Sequence, residues 1–472
     1  MSKMSINSGI LKKMSIYFIG TLSTKFLSII LVPIYAYFVS AYDLGEYDYI
    51  VALSSIIFPI MYFVIWEAIL RFCISEDNDI YKEEIFSTII LFTIAMTICS
   101  IVVCIPLFYI NENNTANWYI LFFAISQGLV SLWQFSARAL GETKQYVIAS
   151  VCGSISILLI ELIYICFGNL DFIGLCIANI IAQIIVIVVL EQKIHLIKFV
   201  KIKNFKLNIL IMTMRFTIPL VINNVSLYLY NSGSKMIIKN NIGSYENGLY
   251  SFASKFSLLI SLFSMVVSMA VIEEAYSFKS IIEYKNRISV LIFKISKAYL
   301  SLIMLALPFL YILYSVAFKN TEYYPSVDYI FLLLLGALFT ALSNNFGSAF
   351  QITDKTKYIS LTTILGACLA IGISMVTVNQ CGVLGVLIGG AVGPFVMMLS
   401  RAIFAKKTTG LSISWKLIGL LFIFSVFEYI ILVCFKNILV QVIVFIFSFI
   451  LIMFINKNDV RLLIAQLVKR GN

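Results

Sequence analysis

Three cations in this sequence stand where apolar spans would carry them into a membrane: Lys25, Arg215 and Lys255. Lys25 lies inside an apolar run over 14–40. At a rise of ~1.5 Å per residue it sits about 16 Å from the start of that run, close to the middle of a ~30 Å hydrocarbon core. A lysine at that depth must face protein or a water-filled cavity, because facing lipid costs at least ~2.5 to 3.5 kcal/mol. Two chemistries are open to it: lining the wall of a transport path, or pairing with a carboxylate on a neighbouring helix. Arg215 opens a seventh span, 209–234, that also holds Pro219, Asn223, Asn224, Ser226, Tyr228, Tyr230 and Asn231. Such a helix cannot face lipid on most of its sides, although Arg215 is near enough to one end to snorkel out. Lys255 lies about 10 Å from the outer end of an eighth span, 248–271.

The carboxylates at membrane depth are fewer. Glu67 precedes Arg71 by four residues, the spacing of an ion pair along one helix face. Glu161 lies toward the outer end of a span at 146–167, where it is positioned to meet a cation, and Glu428 lies in a late span. Each of the three could couple to a proton or a sodium ion, or serve as a structural partner. The nine cysteines fall singly in apolar runs and the one histidine, His195, lies in a basic loop. Without metal-ligand spacing, a nucleotide-binding loop or a nucleophile elbow, the sequence predicts neither an enzyme nor a cofactor or metal.

The elements that must position these residues follow from composition. The 472-residue chain is 61% hydrophobic and 12% charged, with a mean hydropathy of +1.00. Those values exclude a soluble globular protein and predict an all-α polytopic membrane protein of about fourteen transmembrane helices. The net charge of +11 does not point to nucleic acid, because it follows the positive-inside rule. With the N-terminus placed in the cytoplasm, only Lys235, Lys239, Lys255, Lys319 and Lys436 fall at outer ends, and Lys25 falls within the membrane. Both termini are therefore expected to be cytoplasmic.

A basic connector over 191–208 alternates lysines with Ile194, Ile197, Phe199 and Phe205, as suits a segment lying on an anionic leaflet. It divides the chain into an N-terminal six-helix bundle (1–190), a C-terminal six-helix bundle (209–404), and two extra helices with a basic tail (405–472). A faint repeat supports two halves. Gly45-Glu46-Tyr47 is echoed by Gly248-Leu249-Tyr250, and Thr143-Lys144-Gln145-Tyr146 by Lys355-Thr356-Lys357-Tyr358. Six spans separate the copies in each case, which predicts bundles related by an axis along the membrane normal. Gly385, Gly389 and Gly393 recur every four residues, a spacing for close helix packing.

Several stretches resemble a known family. Lys25 with Ile30-Leu31-Val32-Pro33-Ile34-Tyr35, Asp43-Leu44-Gly45-Glu46-Tyr47 and Glu67-Ala68-Ile69-Leu70-Arg71-Phe72 are similar to the opening of bacterial polysaccharide flippases, members of the superfamily that also holds multidrug antiporters and lipid II flippases. Arg215-Phe216-Thr217-Ile218-Pro219-Leu220 and the run from Gly248 to Phe256 agree. The resemblance implies a protein of the bacterial cytoplasmic membrane that carries an undecaprenyl-diphosphate-linked oligosaccharide from the inner to the outer leaflet, by two bundles rocking around a central cationic cavity. It further implies membrane lipids, glycosyltransferases and a polymerase as partners. Lys25, Arg215 and Lys255 would meet the diphosphate, and Asn223, Asn224, Ser226 and Tyr230 the sugars. A multidrug or organic-cation antiporter shares the architecture but needs unpaired carboxylates in its cavity. A membrane polymerase or ligase needs a large outer loop, and no outer loop here exceeds roughly ten residues.

Overall fold

A computed structural model describes residues 25, 27–73, 78–110, 115–168, 171–277, 281–353, 355, 357–411 and 415–457. The start of the apolar run over 14–40 and the basic tail beyond 457 lie outside these. The described chain is helical, as a hydrocarbon environment requires of a backbone that must satisfy its own amides. Thirteen of the described helices are long and apolar enough to cross a membrane, and a shorter apolar helix, Leu27–Phe38, precedes them. This agrees with an all-α polytopic membrane protein.

The helices are α1 (Leu27–Phe38), α2 (Ala41–Met61), α3 (Trp66–Cys73), α4 (Asp79–Ile110), α5 (Thr115–Ala139), α6 (Thr143–Phe167), α7 (Phe172–Ile194), α8 (Leu207–Asn241) and α9 (Ser244–Ser277). They continue as α10 (Ile281–Leu313), α11 (Ile330–Ile352), α12 (Lys357–Cys381), α13 (Val383–Thr409), α14 (Trp415–Cys434) and α15 (Ile438–Ile455).

The chain forms two compact units, residues 1–255 with 375–386, and 256–374 with 387–472. The division therefore does not fall in the connector at 191–208. The reason is local: α8 and the first turns of α9 pack on α2. Gly45 and Gly248, each the fifth residue of its helix, face one another's helices. A Cβ on Gly45 would overlap the Ser244 carbonyl, and a Cβ on Gly248 the Ala41 carbonyl. Asn247 Nδ2 donates to the Gly45 carbonyl at 2.7 Å, closing the contact. The repeated glycines thus meet each other. The connector itself is two 3-10 turns, Leu196–Phe199 and Ile202–Asn204. It is held by Lys201–Glu83 (2.9 Å) and Lys206–Glu84 (3.6 Å) ion pairs to α4.

The apolar stretch that follows α1 is not one helix. Helix α2 begins at Ala41, where the Ser40 hydroxyl accepts from the Asp43 amide. It ends at Met61, and Phe63 and Val64 both take φ of 54° before α3 begins. A β-branched residue in that region is strained by on the order of 1–3 kcal/mol, so its surroundings must hold it there. They do. Tyr62, Val64 and Ile65 are fully buried, and the Tyr62 ring lies against Gly128 while its hydroxyl bonds Thr97 Oγ1 at 2.7 Å. Trp66 stacks on Phe58 at 5.4 Å.

In the second unit, the glycine spacing performs as expected of close packing: a Cβ on Gly389 would stand 2.6 Å from the Ala370 carbonyl, and one on Gly393 2.5 Å from the Gly366 carbonyl. Arg401 of α13 is buried among neutral acceptors. It donates to Thr362 Oγ1 (3.0 Å), Thr363 Oγ1 (2.9 Å) and the Ser343 carbonyl (3.1 Å), tying α13 to α11 and α12. Helices α14 and α15 pack on α10.

The glycine geometry yields a contrast. Gly248→Ala should lower the thermal midpoint of the purified protein, because a methyl there meets backbone that cannot move aside. Gly390→Ala, with nothing within 4 Å of its Cβ, should be neutral or stabilising by up to about 1 kcal/mol through helix propensity. Equal midpoints for the two variants in a detergent melt would contradict the contact.

Candidate functional site

Charge in the first unit is concentrated where α2 meets α8 and α9. Lys235 and Lys239 are one turn apart on α8 and so share a face. Lys235 Nζ lies 3.0 Å from Asp48 Oδ2, and Lys239 pairs with Glu46, to which the Ser244 hydroxyl also donates. The pairings run in opposite order along the two helices, as antiparallel packing demands. Asp48 and Glu46 are buried, and breaking such a pair from one side leaves an uncompensated charge at a cost of about 3–5 kcal/mol.

Lys255 of α9 joins the same group. Its Nζ stands 4.7 Å over the Tyr35 ring, within cation–π range. The Tyr35 hydroxyl donates to Glu161 Oε1 at 3.1 Å. Lys255 is also within electrostatic reach of Asp48, Lys235 and Glu161. Tyr47, on the opposite side of α2, bonds Asn179 of α7. Two carboxylates and two ammonium groups therefore share one region, with Asp48 paired to Lys235 and Lys255 over the Tyr35 ring. Glu161 is fully buried and meets the Tyr35 hydroxyl, while its Oε2 has no hydrogen-bond partner among the described residues.

The remaining expected residues lie along α8 and its neighbours. Asn224 Nδ2 donates to Glu67 Oε1 at 3.2 Å and to the Leu220 carbonyl at 3.0 Å. That bond corrects the Glu67–Arg71 pairing: Glu67 turns toward α8, Arg71 is exposed, and no ion pair joins the two. Ser226 returns its hydroxyl to the Ile222 carbonyl at 2.7 Å. Arg215 and Asn223 are exposed, and their spacing of eight places them on one face of α8. Tyr230 and Lys25 are half-buried. Neither Lys25 nor Arg215 has an ion-pair partner among the described residues. In the second unit Glu428 accepts from Ser448, with its Oε2 unpartnered among the described residues.

The model of the polysaccharide biosynthesis protein family matches residues 10–272, more than half of the chain. The chain belongs to that family. No curated protein sequence matches it significantly. Among solved structures, it is similar to the lipid II flippase MurJ in an inward closed conformation, with a TM-score of 0.70 and 16% identity over 94% of this chain and all of that one. It is also similar to an inward-facing multidrug resistance MATE transporter of the MOP superfamily (TM-score 0.61, 15% identity, 82% and 96% coverage). A Vibrio cholerae MATE transporter matches at a TM-score of 0.50 with 13% identity, over 84% of this chain and 95% of its own. At these identities the likeness establishes the fold.

This family member's charge cluster was not visible as such in its sequence. Asp48, Lys235, Glu46 and Lys239 are brought together from nearly 200 residues apart, and only the clustering of acids at 43–48 and lysines at 235–239 hinted at it. Two mutant cycles test the assignments. Asp48→Asn and Lys235→Gln should each lower stability while the double variant loses less than the sum, with a coupling on the order of 0.5–3 kcal/mol. Glu67→Gln should couple to Asn224→Ala and combine additively with Arg71→Gln. Additive losses at Asp48 and Lys235, or coupling between Glu67 and Arg71, would reverse these pairings.

Proposed function

We propose that this protein carries a lipid-linked oligosaccharide diphosphate from the inner to the outer leaflet of a bacterial cytoplasmic membrane. Membership of a polysaccharide biosynthesis family and a fold shared with a lipid II flippase support the substrate class. The observation that carries the reading is an asymmetry among charges. Asp48, Glu46, Glu67, Glu161 and Glu428 are each bonded to a neighbour, whereas Lys25 and Arg215 have no carboxylate in range among the described residues. Positive charge without a carboxylate partner is therefore available to a ligand at Lys25 and Arg215. A diphosphate brought into hydrocarbon without cations would be prohibitively costly, so its carrier must provide them. Exposed Asn223, on the face of Arg215, supplies the amide chemistry a sugar needs. An organic-cation antiporter is disfavoured by the same asymmetry.

In this reading both termini are cytoplasmic, glycosyltransferases supply the substrate at that face, and a polymerase consumes it outside. A coupled proton or sodium ion would engage Glu161 or Glu428, whose second oxygens are unpartnered, before Glu67. Reconstituted proteoliposomes test the proposal with a labelled lipid-linked oligosaccharide. Lys25→Ala and Arg215→Ala should each slow translocation by about tenfold or more, since a charge-assisted contact contributes about 1.5–3 kcal/mol. Protein yield should stay near wild type. Lys25→Arg keeps the charge and should retain partial activity. Undiminished transport by the double alanine variant would end the assignment.

A further inference from the structure

The first unit holds a partly open apolar cavity of about 220 Å³ between α4, α5 and the first connector turn. Ile90, Thr93, Leu129, Trp133, Ile197 and Val200 form its walls. No polar group is left for a polar ligand to bind. Thr93 Oγ1 donates to the Ile89 carbonyl at 2.9 Å, and Trp133 Nε1 donates to Glu191 Oε2 at 2.9 Å. Glu191 is itself consumed, accepting also from the Leu196 and Ile197 amides. The walls therefore suit hydrocarbon alone.

The rim is charged. Of the connector lysines, Lys193, Lys201 and Lys206 are paired with Glu142, Glu83 and Glu84. Lys198 and Lys203 are exposed and have no carboxylate partner among the described residues. Lys198 lies between Ile197 and Val200, both of which line the cavity, on the turn that forms one wall. Exposed Ile197 and Ile202 alternate with these lysines, 61% and 82% accessible. Apolar side chains and ammonium groups interleaved in this way match the boundary between acyl chains and anionic headgroups.

We infer that this cavity is a binding site for one anionic phospholipid, an acyl chain lying between α4, α5 and the connector turn and the phosphate held by Lys198 and Lys203. Charge complementarity selects the headgroup, and the shape of the cavity selects a flexible chain. Seating a lipid there would join the connector to α4 and α5 through bound hydrocarbon as well as through its ion pairs.

Delipidated protein in detergent is the material for the test, and transport is not read. Native mass spectrometry with added phosphatidylglycerol should show one lipid retained after mild activation, and phosphatidylcholine should be lost. The preference for phosphatidylglycerol should fall by about fivefold for each lysine removed in Lys198→Gln and Lys203→Gln. Both lysines are exposed, so the fold is spared. A phosphatidylglycerol with a photoreactive acyl chain should label peptides containing Leu129 and Val200, and Leu129→Trp, verified monodisperse, should suppress that labelling. Equal retention of the two lipids, unchanged preference in the lysine variants, labelling spread evenly over the lipid-facing helices, or full competition by inorganic phosphate alone would each overturn the site. These results do not depend on what the protein transports.

Discussion

The constraint on which the structure depends is the absence of water around charges that the chain nonetheless carries into its helices. Helix α2 resolves most of it. One side brings Glu46 and Asp48 to lysines of α8, another brings Tyr47 to Asn179 of α7. Gly45, between them, lets α9 approach until backbone touches backbone. The glycine contact sets the distance to α9, and the ion pairs join α2 to α8. A slip of α8 along α2 would strand four charges as well as displace apolar contacts such as Phe58 against Tyr228, so the pairs add to what packing specifies.

Much of the fold could be read in the sequence, because a run of apolar residues long enough to span has few alternatives in a membrane. The close packing at Gly389 and Gly393 was readable from its four-residue spacing for the same reason. The start of α2 was not. Asp43, Glu46 and Asp48 read as the polar end of a span, yet Ser40 caps the first and lysines almost 200 residues away neutralise the others. Local composition cannot announce a partner supplied by tertiary structure. The break at Phe63 and Val64 escaped similarly, since no glycine or proline occupies it. It is held from outside, by Thr97 and by the space that Gly128 leaves for the Tyr62 ring.

The same limit governed the site. Lys25, Arg215 and Lys255 look alike from sequence, as cations in apolar surroundings, and of the three Lys255 proves to stand over an aromatic face. Arg401 is buried, its fork shared among hydroxyls and carbonyls of α11 and α12. Guanidinium suits that role because its five donors point in fixed directions that separate helices can each meet. What faces a cation in this chain is thus set by tertiary structure, which neither its depth nor its residue type reveals.

That distinction bears on how the first unit could move. Separating α2 from α8 and α9 would break Asp48–Lys235 and Glu46–Lys239 together and withdraw Asn247 from the Gly45 carbonyl. In hydrocarbon this would be forbidding, since four charges would lose their partners at once. In water it would not be, because an exposed ion pair is worth only about 0–1 kcal/mol. The glycine contact adds little resistance, having no side chains to disengage. The interaction that holds the helices together therefore weakens as soon as water reaches it, and wetting and separation reinforce one another. Wetting therefore loosens the paired charges, whereas apolar contacts between α2 and α8, such as Phe58 against Tyr228, hold in both conditions.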